Sequence, residues 1–146
     1  MSMSNASETN LLTMLFNNTD WPNVGDAAGL QNSAAAGSFY VALHTADPGD
    51  AGTQATSEAA YTGYARVAVA RTGGGWTVSG NQVSNTATVQ FGECTAGSAT
   101  VTHFSVGLLA SGAGDILYSG ALSASRAVSA GITPLFNPAT LVGTVD

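Results

Sequence analysis

From residue 38 onward the apolar positions alternate with polar ones. In the run 38–45, Phe39, Val41 and Leu43 share one face, and Tyr40, Ala42 and His44 share the other. In the run 64–71, Val67 and Val69 oppose Tyr64 and Arg66. A period of two is the signature of a half-buried strand. It recurs at 86–91, with Ala87, Val89 and Phe91 expected inward. It recurs again at 100–109, where Thr102, Phe104, Val106 and Leu108 oppose Val101, His103, Ser105 and Gly107. Gly73-Gly74-Gly75 reads as a turn before Trp76-Thr77-Val78, and Ser79-Gly80-Asn81 as a tight hairpin into Gln82-Val83-Ser84. A turn at 111–115 precedes Ile116-Leu117-Tyr118, and further short strands are expected near 120–123, 126–129, 132–136 and 140–145. Eight or more strands with turn signals every ~8–12 residues predict a mainly β chain, an antiparallel β-sandwich of jelly-roll type. No helical pattern separates the strands, which excludes parallel βαβ units.

One short helix precedes them. Asn5 and Glu8 have the spacing of a capping box, and Leu11, Leu12, Met14, Leu15 and Phe16 then recur at helical spacing. The run Asn17-Asn18-Thr19-Asp20 stops the helix, and Trp21 is held extended by Pro22. The pattern predicts a helix over 6–17. With the small-residue stretch 23–37 it makes an arm, residues 1–37, ahead of a β-sandwich, residues 38–146. On that division, removing residues 1–18 leaves a folded sandwich. Between the first two strands lies a loop of about twenty residues, longer than an ordinary connection, so the segment 46–63 is expected to have an interaction role or flexibility.

Composition changes this picture in one respect. Charged residues are 8% of the chain, against about a quarter in typical soluble proteins. Lysine is absent, the cations are Arg66, Arg71 and Arg126, and the net charge is −6. Nucleic acid is excluded as a partner, because neutralising phosphates takes clustered Lys and Arg. An anionic membrane surface is excluded on the same ground. No segment approaches the ~20 apolar residues of a membrane span. The first ten residues lack the cationic start and apolar stretch of a secretory signal, so folding in the cytoplasm of the producing cell is expected. Small neutral side chains lose little entropy on association, and they carry little charge to hold copies apart. Much of this surface is therefore expected to lie against other protein.

The residue types of several chemistries are present without their spacing. His44, His103 and Asp47 are possible metal ligands, but no short spacing joins them. Both histidines sit on polar strand faces and read as hydrogen-bonded surface groups. Serines abound, yet there is no G-x-S-x-G elbow. Cys94 is the only cysteine, so an internal disulfide is excluded. Glu93 beside it disfavours a thiolate, and it reads as a small buried hydrophobe. Asp47, Asp50 and Glu58 share one loop but lack an aromatic cleft for glycoside hydrolysis and the ligand spacing of an EF-hand. A calcium ion at a subunit contact remains an open alternative for them. The glycine run at 73–75 lacks the lysine and following helix of a phosphate loop. No catalysis and no cofactor are expected.

Five blocks carry a resemblance: Gly37–Gly52 (GSFYVALHTADPGDAG), Tyr61–Val67 (YTGYARV), Val83–Ala87 (VSNTA), Val101–Gly107 (VTHFSVG) and Gly114–Leu122 (GDILYSGAL). In this order they resemble a family of small tailed-bacteriophage virion proteins, often labelled tail fibre proteins and similar to capsid cement or decoration proteins. The resemblance implies a non-enzymatic, multicopy structural role in a phage particle. The expectation is a cement protein on the capsid exterior, a dimer or trimer bound to the major capsid protein. The alternatives are a tail or tail-fibre subunit and a receptor- or carbohydrate-binding module. A fibre shaft needs internal repeats, and none is present. Candidate contact residues are Leu11, Leu12, Leu15, Phe16 and Trp21 around the helix. Those around the long loop are His44, Asp47, Pro48, Asp50, Tyr61, Tyr64 and Arg66. Exposed strand edges are further candidates.

Overall fold

A computed structural model describes residues 2–145. One helix, α1 (Asn5–Asn17), precedes nine strands among them: β1 (Ser38–His44), β2 (Val67–Ala70), β3 (Trp76–Ser79), β4 (Gln82–Asn85), β5 (Val89–Gln90), β6 (Ser98–Gly107), β7 (Ile116–Ser129), β8 (Leu135–Phe136) and β9 (Val142–Thr144). The strands form three sheets, ordered β2-β1-β6-β7, β3-β4-β9 and β5-β8. The pairs β1–β6, β6–β7, β3–β4, β4–β9 and β5–β8 are antiparallel. The chain is mainly β and antiparallel with a short N-terminal helix, as the alternation predicts. Two expectations need correction. β7 runs over Ile116–Ser129 where three short strands were expected, because β6 gives it a partner along that length. The strand expected at 86–91 shrinks to β5, and Ala87, ahead of it, is exposed.

Contacts gather the chain into two compact units. The first holds the chain up to Ser38, Ala70–Thr88 and the segment from Asn137 onward. Here α1 packs with the β3-β4-β9 sheet. Leu12 and Phe16 are buried, and the Phe16 ring meets Trp76 edge-on at 5.0 Å. The Thr9 hydroxyl donates to the Gly80 carbonyl at 3.0 Å, and the Asn17 amide donates to the Trp76 carbonyl at 3.2 Å. The helix is capped by Ser4, whose hydroxyl accepts from the Ser7 amide at 3.3 Å, so Asn5 lies inside the helix rather than capping it. No basic residue sits in its last turn. Arg71 supplies that charge from outside, donating to the carbonyls of Met14 (3.0 Å), Leu15 and Ala36 (3.2 Å). A guanidinium at a helix C-terminus satisfies orphan carbonyls and complements the dipole. The apolar stripe of the helix has Trp76 to cover it.

Asn85 is the polar centre of this unit, 1% exposed. Its Oδ1 accepts from the Thr140 and Leu141 amides at 3.1 and 2.9 Å. Its Nδ2 donates to the Ala87 and Asn137 carbonyls at 2.8 and 2.9 Å. All four hydrogen-bonding positions are used, clipping β4 to the segment that leads into β9.

The second unit holds Phe39–Val69 and Val89–Phe136. Its core takes Val41 and Leu43 from β1, Val101 and Val106 from β6, and Val128 from β7. A row of rings runs through it: Tyr61–Tyr64 at 5.4 Å, Tyr64–Phe91 stacked at 6.0 Å, Phe91–Phe136 at 6.2 Å and Phe136–Phe104 at 5.7 Å.

Candidate functional site

β1 ends at His44, and the chain does not re-enter a strand until Val67. The long loop between them folds back on its own unit. Thr45 donates its amide to the Ser57 carbonyl and Ala59 donates to the Leu43 carbonyl, each at 2.8 Å, which bridges His44 to Glu58. The Arg66 fork then grips Glu58, with Nε to Oε1 and Nη2 to Oε2 both at 2.7 Å. Two parallel charge-assisted bonds fix geometry as well as energy. Arg66 also donates to the carbonyls of Leu109 (3.0 Å) and Gly112 (2.7 Å), tying the loop to the turn between β6 and β7. The Tyr64 hydroxyl donates to Glu58 Oε1 at 2.9 Å and accepts from the Leu43 amide at 3.1 Å. The hydrogen bond to Glu58 raises the Arg66 pKa. Burial pushes the Tyr64 hydroxyl well above the usual tyrosine range.

His44 lies beneath this clasp, fully buried. Its Nδ1 is 2.8 Å from the Thr56 carbonyl and its Nε2 is 2.8 Å from the Ser105 hydroxyl. A carbonyl only accepts, so Nδ1 carries the proton and Nε2 accepts from Ser105. Burial lowers the His44 pKa and keeps the ring neutral. The expectation of a surface histidine is therefore corrected: the loop's return past Thr56 covers the polar face of β1. Gln54, also 0% exposed, completes the closure. Its amide nitrogen donates to the Tyr40 carbonyl at 3.1 Å, its side-chain oxygen accepts from the Leu109 amide at 2.9 Å, and its backbone amide donates to the Gly114 carbonyl at 2.8 Å. A Cβ on Gly107 or Gly114 would collide with the Gln54 side chain.

A serine hydroxyl on a histidine whose second nitrogen is held by an acceptor is the arrangement of an activated nucleophile. Here both partners have 0% exposure, so a substrate carbonyl has no approach to Ser105. The pair holds the loop. Asp47 accepts from the Gly49 amide at 2.9 Å, and among the described residues no three of His, Cys, Asp and Glu gather into a metal-binding group.

Of the candidate contact residues, Leu12, Phe16, His44, Pro48, Tyr61 and Arg66 are buried, and Leu11, Leu15, Trp21 and Tyr64 are half-buried. Asp47 and Asp50 stand exposed on the loop. The arrangement concentrates its polar chemistry inside, where it rigidifies. Gln54, Asn85 and Ser105, which organise the two interiors, were not found from the sequence, since none follows an apolar period. The stretch 23–37 is likewise more ordered than its composition suggests. Trp21 and Leu30 exchange two backbone hydrogen bonds of 2.9 Å, and Asp20 accepts from the Asn32 amide at 2.7 Å. Gly29 has φ +70°, and a Cβ there would run into the Trp21 carbonyl.

Among the described residues no helix is long and apolar enough to cross a membrane. A family model described as podophage GP4 fiber I protein gp80 matches residues 2–144. No curated protein matches the chain.

Proposed function

The chain belongs to the family of podophage GP4 fiber I protein gp80, and from that premise we propose that it is a non-enzymatic subunit of a phage tail fibre. It is a structural protein of the virion. The observation that carries the tail assignment is the extent of the match, residues 2–144, which includes both compact units. Their construction suits the role. Buried polar clasps at Glu58–Arg66 and Asn85 fix loops without a disulfide, and an exterior of small neutral side chains loses little entropy on assembly.

A second reading is a capsid cement protein bound to the major capsid protein on the head exterior. The lack of an internal repeat favours it, because a shaft is built from repeats. Modest contacts to several shell subunits would then add through high effective concentration. A carbohydrate-binding module is disfavoured: such sites use exposed aromatic platforms, whereas Trp76, Phe91 and Tyr61 are buried.

The test is to separate heads from tails of the parent particle and quantify the chain in each by mass spectrometry. Copies confined to the tail fraction support the fibre assignment. Copies concentrated on heads overturn it in favour of cement.

A further inference from the structure

The turn between β6 and β7 reads Leu108-Leu109-Ala110-Ser111-Gly112-Ala113-Gly114-Asp115. Surface turns are ordinarily built from Gly, Pro, Asn, Asp and Ser. Here Leu108, Leu109, Ala110 and Ala113 are all exposed, the two leucines by 42% and 49%. The turn is also held firmly. Leu108 donates its amide to the Asp115 carbonyl at 3.1 Å, which closes it from within. The Gln54 side chain accepts from the Leu109 amide, and the Gln54 amide donates to the Gly114 carbonyl. Arg66 adds its bonds to the Leu109 and Gly112 carbonyls. Two buried residues, Gln54 and Arg66, thus fix the backbone of a turn whose apolar side chains are exposed. Ordering a loop in advance removes an entropic cost of binding.

Charge selects what covers it. Asp115 closes the turn, and Asp47 and Asp50 stand on the loop that Gln54 anchors to it; all three are exposed. Glu93 adds a fourth exposed carboxylate to this unit, against one exposed cation, Arg126, among the described residues. A second copy of the chain would bring carboxylates to carboxylates. It has no lysine to offer, and Arg66 and Arg71 are held in internal hydrogen bonds. The surface therefore fits a cationic partner that is not another copy.

We propose that the turn 108–115 docks into an apolar pocket rimmed by lysine or arginine on a different protein of the virion. Leu108 and Leu109 are the anchors that become buried, and Asp115 is the charge that meets the rim. An apolar centre inside a polar rim is the usual anatomy of a protein contact. The inference rests on the reading above only in that the chain is a component of the virion.

The test uses the full chain in infected cells where a plasmid is its sole source. A photoreactive benzophenone amino acid at Leu109, irradiated in purified particles, should cross-link to a lysine- or arginine-bearing peptide of another virion protein. Replacing both anchors, Leu108→Ser with Leu109→Ser, should lower the copies per particle about tenfold. Asp115→Lys, which sets like charges together, should also lower them. Circular dichroism and thermal melts of the purified variants should match wild type, since the replaced side chains are exposed; a variant that melts early is replaced by Leu109→Ala, read by the same copy number. Cross-links only to another copy, or none at all, overturn the proposal. So do wild-type copy numbers in the double variant, and normal incorporation of Asp115→Lys overturns the cationic rim. A cross-link to a head protein would leave this contact standing and sink the tail assignment, whereas a chain found in tails without any cross-link would sink this contact alone.

Discussion

Arg66 has a side chain only 2% exposed, and its fork is shared between Glu58 and two carbonyls of the β6–β7 turn. Removing one partner of a buried ion pair costs more than the pair contributes, because the other is left desolvated and alone. Arg66→Ala should therefore destabilise the protein by about 3 kcal/mol. Arg66→Lys keeps the charge but not the fork, so it should recover only part of that loss in denaturant titrations. An Arg66→Ala variant as stable as wild type would show that the clasp is ornamental. Asn85 tests the other unit. Asn85→Asp preserves shape but turns the two-carbonyl contact of Nδ2 into an oxygen facing oxygens. A cost of about 3 kcal/mol is expected, read by the fluorescence of Trp76, which packs in that same unit. In both cases the deciding groups are backbone carbonyls, which no side-chain pattern reveals.

At the scale of elements, the sequence was legible where a period governs burial. Alternation located β1 and β6, and Gly80-Asn81 placed the β3–β4 turn, with Gly80 at φ +62° as a tight hairpin requires. Leucine spacing located α1 to within a residue, the error coming from two adjacent residues, Ser4 and Asn5, that both suit an N-cap. The long loop was legible as a loop, but its closure was not. Gln54, Thr56 and Ser57 act through contacts far away in sequence, and that fold-back turned His44 from a polar-face residue into a buried one. Gly107 is part of the same closure. Gly107→Ala would drive a Cβ into Gln54 and the Asp115 carbonyl, and overpacking of this kind should cost about 2 kcal/mol in thermal melts. The helix carries a parallel expectation. Deleting residues 1–18 uncovers Trp76, so the truncated chain should show red-shifted tryptophan emission and a lost or lowered transition for the first unit. Unchanged emission and stability would instead show the helix to be a separable arm.

For the molecule as a whole, the distribution of ionisable groups makes stability a function of pH with two limbs. Two of the three arginines, Arg66 and Arg71, are spent on internal hydrogen bonds, and Arg126 is exposed on β7. On the acid side, burial lowers the His44 pKa. An unfolded histidine titrates near ~6.5, so below that pH the unfolded chain binds the proton first. The His44 contribution is thus fully present above ~6.5 and declines as pH falls through the lowered folded value. On the alkaline side, burial raises Tyr61, Tyr64 and Tyr118. Unfolded tyrosines ionise near ~10, so their contribution is present below ~10 and is lost as pH rises beyond it. Denaturant midpoints should therefore plateau between roughly pH 7 and 9 and fall on both sides. All four tyrosines lie in the second unit, so tyrosinate absorbance reads that unit alone, and the share from Tyr61, Tyr64 and Tyr118 should lag the free-tyrosine curve until unfolding releases it. His44→Gln should flatten the limb just below pH ~6.5, since the amide has no proton to gain. A limb that persists in that variant would place the titration elsewhere.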